Sequence, residues 1–162
     1  MKHVLKYVAA AILLGGTGIQ NASASGCEGN MLVGAWEVQA QGAPYEPHLF
    51  IFHADGTMIT TNPTNVQENP AKQHGGTNDS LGMGTWACSN GKTPEVVGTF
   101  YQLNANADDH KPTDKLSVTF RIKASKDTFT GTAAVRVGET AVPGATLVGR
   151  RIAADEAALG TL

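Results

Sequence analysis

The chain has 162 residues, with 12 Lys+Arg against 14 Asp+Glu and a formal net charge of −2. That balance, spread without a basic cluster, argues against a nucleic-acid-binding surface and against a polybasic membrane patch. No apolar run reaches the roughly 20 residues of a membrane-spanning helix.

The N-terminus reads as an export leader. Lys2 and Lys6 give a short positive start, "YVAAAILLGG" an apolar run too short to span a bilayer, and Ala22-Ser23-Ala24 a small-x-small cleavage pattern. Residues 1–24 are therefore expected to be a signal peptide, and 25–162 a single domain in the periplasm or outside the cell. Without the leader, ten basic residues face fourteen acidic ones, a net of −4. The two cysteines, Cys27 and Cys88, suggest one disulfide in an oxidising compartment. It would close a loop of about 60 residues, worth roughly 4 kcal/mol in the chain-entropy picture. The alternative for Cys27 is lipidation, since "ASGC" resembles a weak lipoprotein box.

After residue 25 the pattern is one of short alternating runs broken by Gly, Pro, Asn and Asp, which predicts strands. The first covers about 31–41 and contains Gly34-Ala35-Trp36. The second, "EPHLFIFH", covers about 46–53. Asp55-Gly56 marks a tight turn into "TMITT" at 57–61. A polar stretch rich in Asn, Gly and Pro, from Asn62 to Leu81, then reads as a long loop, either a lid over the mouth or a disordered insertion. "GMGTWACS" at 82–89 turns at Asn90-Gly91 into "EVVGTFYQL" at 95–103. "KLSVTFRIKA" at 115–124 alternates most cleanly, with Leu116, Val118, Phe120 and Ile122 on one face. "TFTGTAAVRV" at 128–137 repeats the pattern, and "ATLVGRRIA" at 145–153 is last. One dry and one wet face per strand favour antiparallel pairing. Within-strand glycines (Gly34, Gly84, Gly98, Gly131, Gly149) fit the sharp bends of a barrel. The expected fold is all-β, an eight-stranded antiparallel up-and-down β-barrel.

Link lengths give the barrel two unlike ends. In an up-and-down order the links "ADG", "NGKTP" and "SKD" share one end and are short. Those at the other end are mostly long. The first end is expected to be a floor and the second a mouth. Both cysteines then fall at the floor, where a disulfide is geometrically possible.

With Gly34-Ala35-Trp36 opening the first strand and Arg150-Arg151 in the last, the chain resembles the calycin superfamily. This is the group of lipocalin-like small barrels, related in shape to allene oxide cyclases and dirigent proteins. The resemblance implies that Trp36 plugs the closed end and that Arg150 or Arg151 packs over its indole. Trp86, in a second Gly-x-Trp, competes for that place.

A barrel of eight strands is just wide enough to be filled by side chains or to hold one small ligand. The expected lining is Trp36, Val38, Phe50, Phe52, Tyr101, Leu116, Val118, Phe120, Phe129 and Val135. The inward face of 46–53 and of 95–103 is undecided, because both faces of those runs are partly apolar and a one-residue slip exchanges them. The expected function is binding of a small hydrophobic molecule in the interior. One alternative is a cofactor-independent isomerase or cyclase, in which His48, Tyr101 and Glu46 would move protons or orient substrate. Another is a filled barrel that acts as an interaction module, as a homodimer through an apolar outer face of the second or fifth strand. No cofactor or metal is expected. His48, His53, His74 and His110 show no ligand spacing, and no nucleophile elbow, phosphate loop or dinucleotide fingerprint occurs.

Overall fold

A computed structural model describes residues 31–43, 46–62, 77–89, 95–106 and 111–154. The leader, the lipobox with Cys27, His74 and His110 all lie outside the described residues. Nine strands are formed among the rest: β1 (Gly34–Gln41), β2 (His48–Phe52), β3 (Thr57–Thr61), β4 (Thr77–Asp79), β5 (Gly82–Cys88), β6 (Glu95–Asn106), β7 (Pro112–Ala124), β8 (Thr128–Val137) and β9 (Thr140–Arg151). Every ladder is antiparallel, and β9 pairs back onto β1 while β6 pairs with β7, so the sheet closes on itself. The short β4 does not add a ninth stave. It continues β5 along the same partner strand, displaced by one residue. Asp79 pairs with Asn104 and Met83 with Tyr101, and the backbone N–H of Ser80 donates to the Leu103 carbonyl between them. The molecule is thus an eight-stranded closed antiparallel barrel with up-and-down order, a shape compatible with the calycin fold.

Two stretches expected to be loops are strand. The end of the polar segment forms β4, because its Thr and Asn side chains do not prevent the backbone from completing the β6 ladder. The link between β8 and β9 is only Gly138-Glu139, with Gly138 at φ +58°. "TAVPG" instead starts β9, with a register shift beside Pro143-Gly144. That is where a residue without a backbone N–H is tolerated. β6 and β7 also run past their expected ends at 103 and 115, so β6, β7, β8 and β9 have 10 to 13 residues, whereas β2 and β3 have five each. The wall is tall on one side of the mouth and low on the other.

The closed end is packed solid. Trp36, Phe52, Phe120, Phe129 and Ile122 are almost wholly buried, and their rings meet at tilted or edge-on angles. Trp36 lies 5.1 Å from Phe129, Phe52 lies 6.1 Å from Phe120, and Phe52 lies 5.9 Å from Trp86. Each such pair adds about 0.5–1.5 kcal/mol beyond simple area burial. Room for the rings comes from glycines directly opposite them. Gly98 pairs with Phe120 and Gly149 with Phe129, and a Cβ on either glycine would sit 2.3 or 2.1 Å from the ring.

A latch closes the floor. The Arg151 guanidinium lies 4.3 Å from the centre of the Trp36 ring, while Arg150 on the same strand points outward into solvent. Arg151 also donates to the carbonyls of Lys126, Val33 and Met31, and the Trp36 indole N–H donates to the Leu32 carbonyl at 2.8 Å. Gly34 sits at φ +130°, and a Cβ there would come within 2.8 Å of the guanidinium. The glycine of the Gly-x-Trp therefore makes way for the arginine that covers the tryptophan. Trp86 has a different task. Its N–H is shared between the carbonyls of His53 and Thr57, tying β5 to the β2–β3 turn.

Candidate functional site

Above the aromatic floor the barrel is hollow. A cavity of about 400 Å³ opens at the mouth, within the range that small-molecule sites occupy. Its base is made by Phe50 and Phe100, whose rings meet edge-on at 5.8 Å. Alternation along the strands decides what stands above them. On β7, β8 and β9 the inward positions toward the mouth are Leu116, Val118, Ala133, Val135, Val137, Val142 and Leu147, giving a continuous aliphatic wall. On β2, just past β3, and on β4 and β6 the inward positions at the same height are His48, Asn62, Asp79, Gln102 and Asn104. The cavity thus has one greasy side and one polar side.

The polar side is largely organised. Asn62 is 5% exposed and Gln102 4%. Such burial is tolerable only with hydrogen bonds. The Asn62 Nδ2 donates to Asp79 at 3.2 Å, and the Gln102 Nε2 donates to the Ser80 carbonyl at 3.1 Å. Both acceptors hang on the irregularity between β4 and β5, and Ser80 Oγ in turn accepts the Leu103 N–H at 2.9 Å. The one-residue shift therefore aims the polar groups of this wall. The Oδ1 of Asn104 is buried and accepts no hydrogen bond among the described residues. His48 is half-buried with its ring edge-on to Phe50 at 6.4 Å.

Of the residues expected to line the interior, Phe50, Leu116, Val118 and Val135 face the cavity. Trp36, Phe52, Phe120 and Phe129 point inward but belong to the packed floor, and Val38 is fully buried outside the cavity. Tyr101 is a correction. It points outward and is 48% exposed, beneath the Lys115 ammonium at 4.6 Å. The reason is the register of β6, whose inward positions are Val96, Gly98, Phe100 and Gln102. Glu46 is exposed ahead of β2 and does not line the cavity. His48 is thus the one member of the His48, Tyr101 and Glu46 group that reaches it. Asn62, Asp79, Gln102 and Asn104 went unselected, although "FYQLNAN" carried the signal. There the apolar Tyr101 and Leu103 alternate with Gln102 and Asn104, so whichever face turns inward, the strand breaks the usual pattern near the mouth.

Among the described residues, no three His, Cys, Asp or Glu side chains converge as a metal ion would require. No helix among them is long and apolar enough to cross a membrane. Set against protein-family models, curated proteins and solved structures, the chain matches none, so its function is argued from its own geometry.

Proposed function

We propose that this is an exported barrel, with residues 1–24 removed and a Cys27–Cys88 disulfide at the floor, that holds a small, mainly apolar molecule in the mouth half of its interior. The observation that carries the reading is the division of the barrel into a solid floor and a cavity of about 400 Å³ with an aliphatic wall. A barrel needed only as a scaffold would gain stability by filling that space, since lost packing contacts destabilise a core. Binding ranks ahead of isomerase or cyclase chemistry, because Tyr101 and Glu46 stand outside the cavity and the expected His48, Tyr101 and Glu46 group is not assembled there. Native mass spectrometry of protein purified from its source tests the proposal. A co-purifying small molecule is expected, and Val135→Trp, which fills the cavity from β8, should expel it. A wild-type protein that never carries or takes up a small molecule would count against binding.

A second reading, a homodimer through the outer surface, is favoured by one observation. Register aligns Ile51, Ile59, Met83 and Tyr101 in a row across β2, β3, β5 and β6, with Leu49 and Leu103 exposed beside it. Contiguous exposed apolar surface of this kind marks interaction sites. Glu37 on β1 pairs with Leu49 at one side of the patch and Lys115 on β7 with Leu103 at the other. A two-fold axis through the row would bring each acidic end onto a basic one. Light scattering should then show a dimer that Met83→Lys converts to a monomer. A wild-type monomer at high concentration would remove this reading.

A further inference from the structure

The polar wall of the cavity carries a buried acceptor, Asn104 Oδ1, that meets no donor among the described residues, and this restricts what can bind there. Two of its carboxamides have their orientation fixed by acceptor-only neighbours. The Asn62 amide hydrogens are turned to the Asp79 carboxylate and those of Gln102 to the Ser80 carbonyl. One amide hydrogen of each is thereby engaged inside the protein. Asp79 can only accept, and Asn104 Oδ1 is a buried acceptor left without a donor. An unmet buried acceptor costs on the order of 1–3 kcal/mol, which a ligand donor would recover. Opposite stands the aliphatic wall of β7, β8 and β9, which offers nothing to a polar group.

Resting on the reading of the cavity as a binding site, we infer that its ligand is an amphipathic molecule with an O–H or N–H head and a short aliphatic body. The head meets Asn104 and Asp79, and the body lies on the tall wall. A carboxylate head is disfavoured, because its charge would face the Asp79 carboxylate and the Asn104 acceptor.

Titration with four eight-carbon probes tests this, followed by NMR. The probes are 1-octanol, octanamide, 2-octanone and octanoate. Octanol and octanamide should bind about 10-fold tighter than 2-octanone, the return expected from one satisfied buried acceptor, and octanoate weakest. Asn104→Leu should bring octanol and 2-octanone to similar affinity, whereas Asn104→Asp, which keeps an acceptor, should preserve the order. If 2-octanone or octanoate equals octanol in the wild type, or if the preference survives in Asn104→Leu, the donor-head inference is overturned and binding itself stands. If no probe shifts the resonances of cavity residues, the binding reading falls and takes this inference with it.

Discussion

The two halves of the barrel interior use the same strands and the same alternation, yet they resolve the problem of an enclosed space in opposite ways. At the floor, inward positions carry Trp36, Phe52, Phe120 and Phe129, with glycines opposite two of the rings, and no room remains. Toward the mouth, the inward positions carry smaller aliphatic residues on one side and amides on the other, and a cavity of about 400 Å³ is left. A closed sheet of fixed strand number therefore does not dictate a hollow or a solid core. The choice lies in side-chain volume at a few alternating positions. The floor supplies stability, and the mouth is free to be shaped for a ligand.

Substitutions should separate the halves by magnitude. Trp36→Ala removes the indole beneath Arg151, and its loss should cost about 3–5 kcal/mol, read as a lowered urea midpoint by circular dichroism. Gly98→Ala should follow at about 1–3 kcal/mol, because its methyl group would press on the Phe120 ring. Leu116→Ala, on the partly buried wall of an existing cavity, should cost about 1 kcal/mol or less while changing ligand affinity more than stability. A cost for Leu116→Ala equal to that of Trp36→Ala would erase the distinction between the halves. The smallest effect belongs to a turn. The Thr57 hydroxyl, and then its backbone N–H, donate to Asp55 and lower its carboxyl below the usual value. The stabilisation is therefore fully present above the ordinary carboxylate range and is lost as pH falls through the lowered value. Asp55→Ala should lower neutral stability slightly and leave stability below the lowered carboxyl value nearly unchanged, which flattens the acid limb of the melting profile.

The fold was legible because its signals are local. The alternation in "KLSVTFRIKA" and "TFTGTAAVRV" named both the strands and their faces, and Asp55-Gly56 named a hairpin. The Gly-x-Trp and the paired arginines pointed to the floor, though only register chose Arg151 over Arg150, since adjacent residues on a strand face opposite ways. The polar wall was harder to read. Its members come from separate stretches and meet only after closure; Asn62, Asp79 and Asn104 fall in expected links, and His48 and Gln102 lie in expected strands whose inward face was undecided. In β6 the pattern is inverted, with Tyr101 outside and Gln102 inside. A rule that places apolar residues inside thus selects the wrong face at the very positions where a site interrupts the core.

The clasp of Arg151 on Trp36 sits at a particular seam. Seven of the eight stave-to-stave contacts join strands that follow one another along the chain, and only β1 and β9 must find each other from opposite ends. Arg151 and its acceptor Val33 are separated by 118 positions. The entropy of ring closure falls on that one joint, so the meander should assemble early and the hoop lock last. Weakening the clasp would then hasten unfolding far more than it delays folding. The residue pair that stoppers the vessel would also set how long it stays shut.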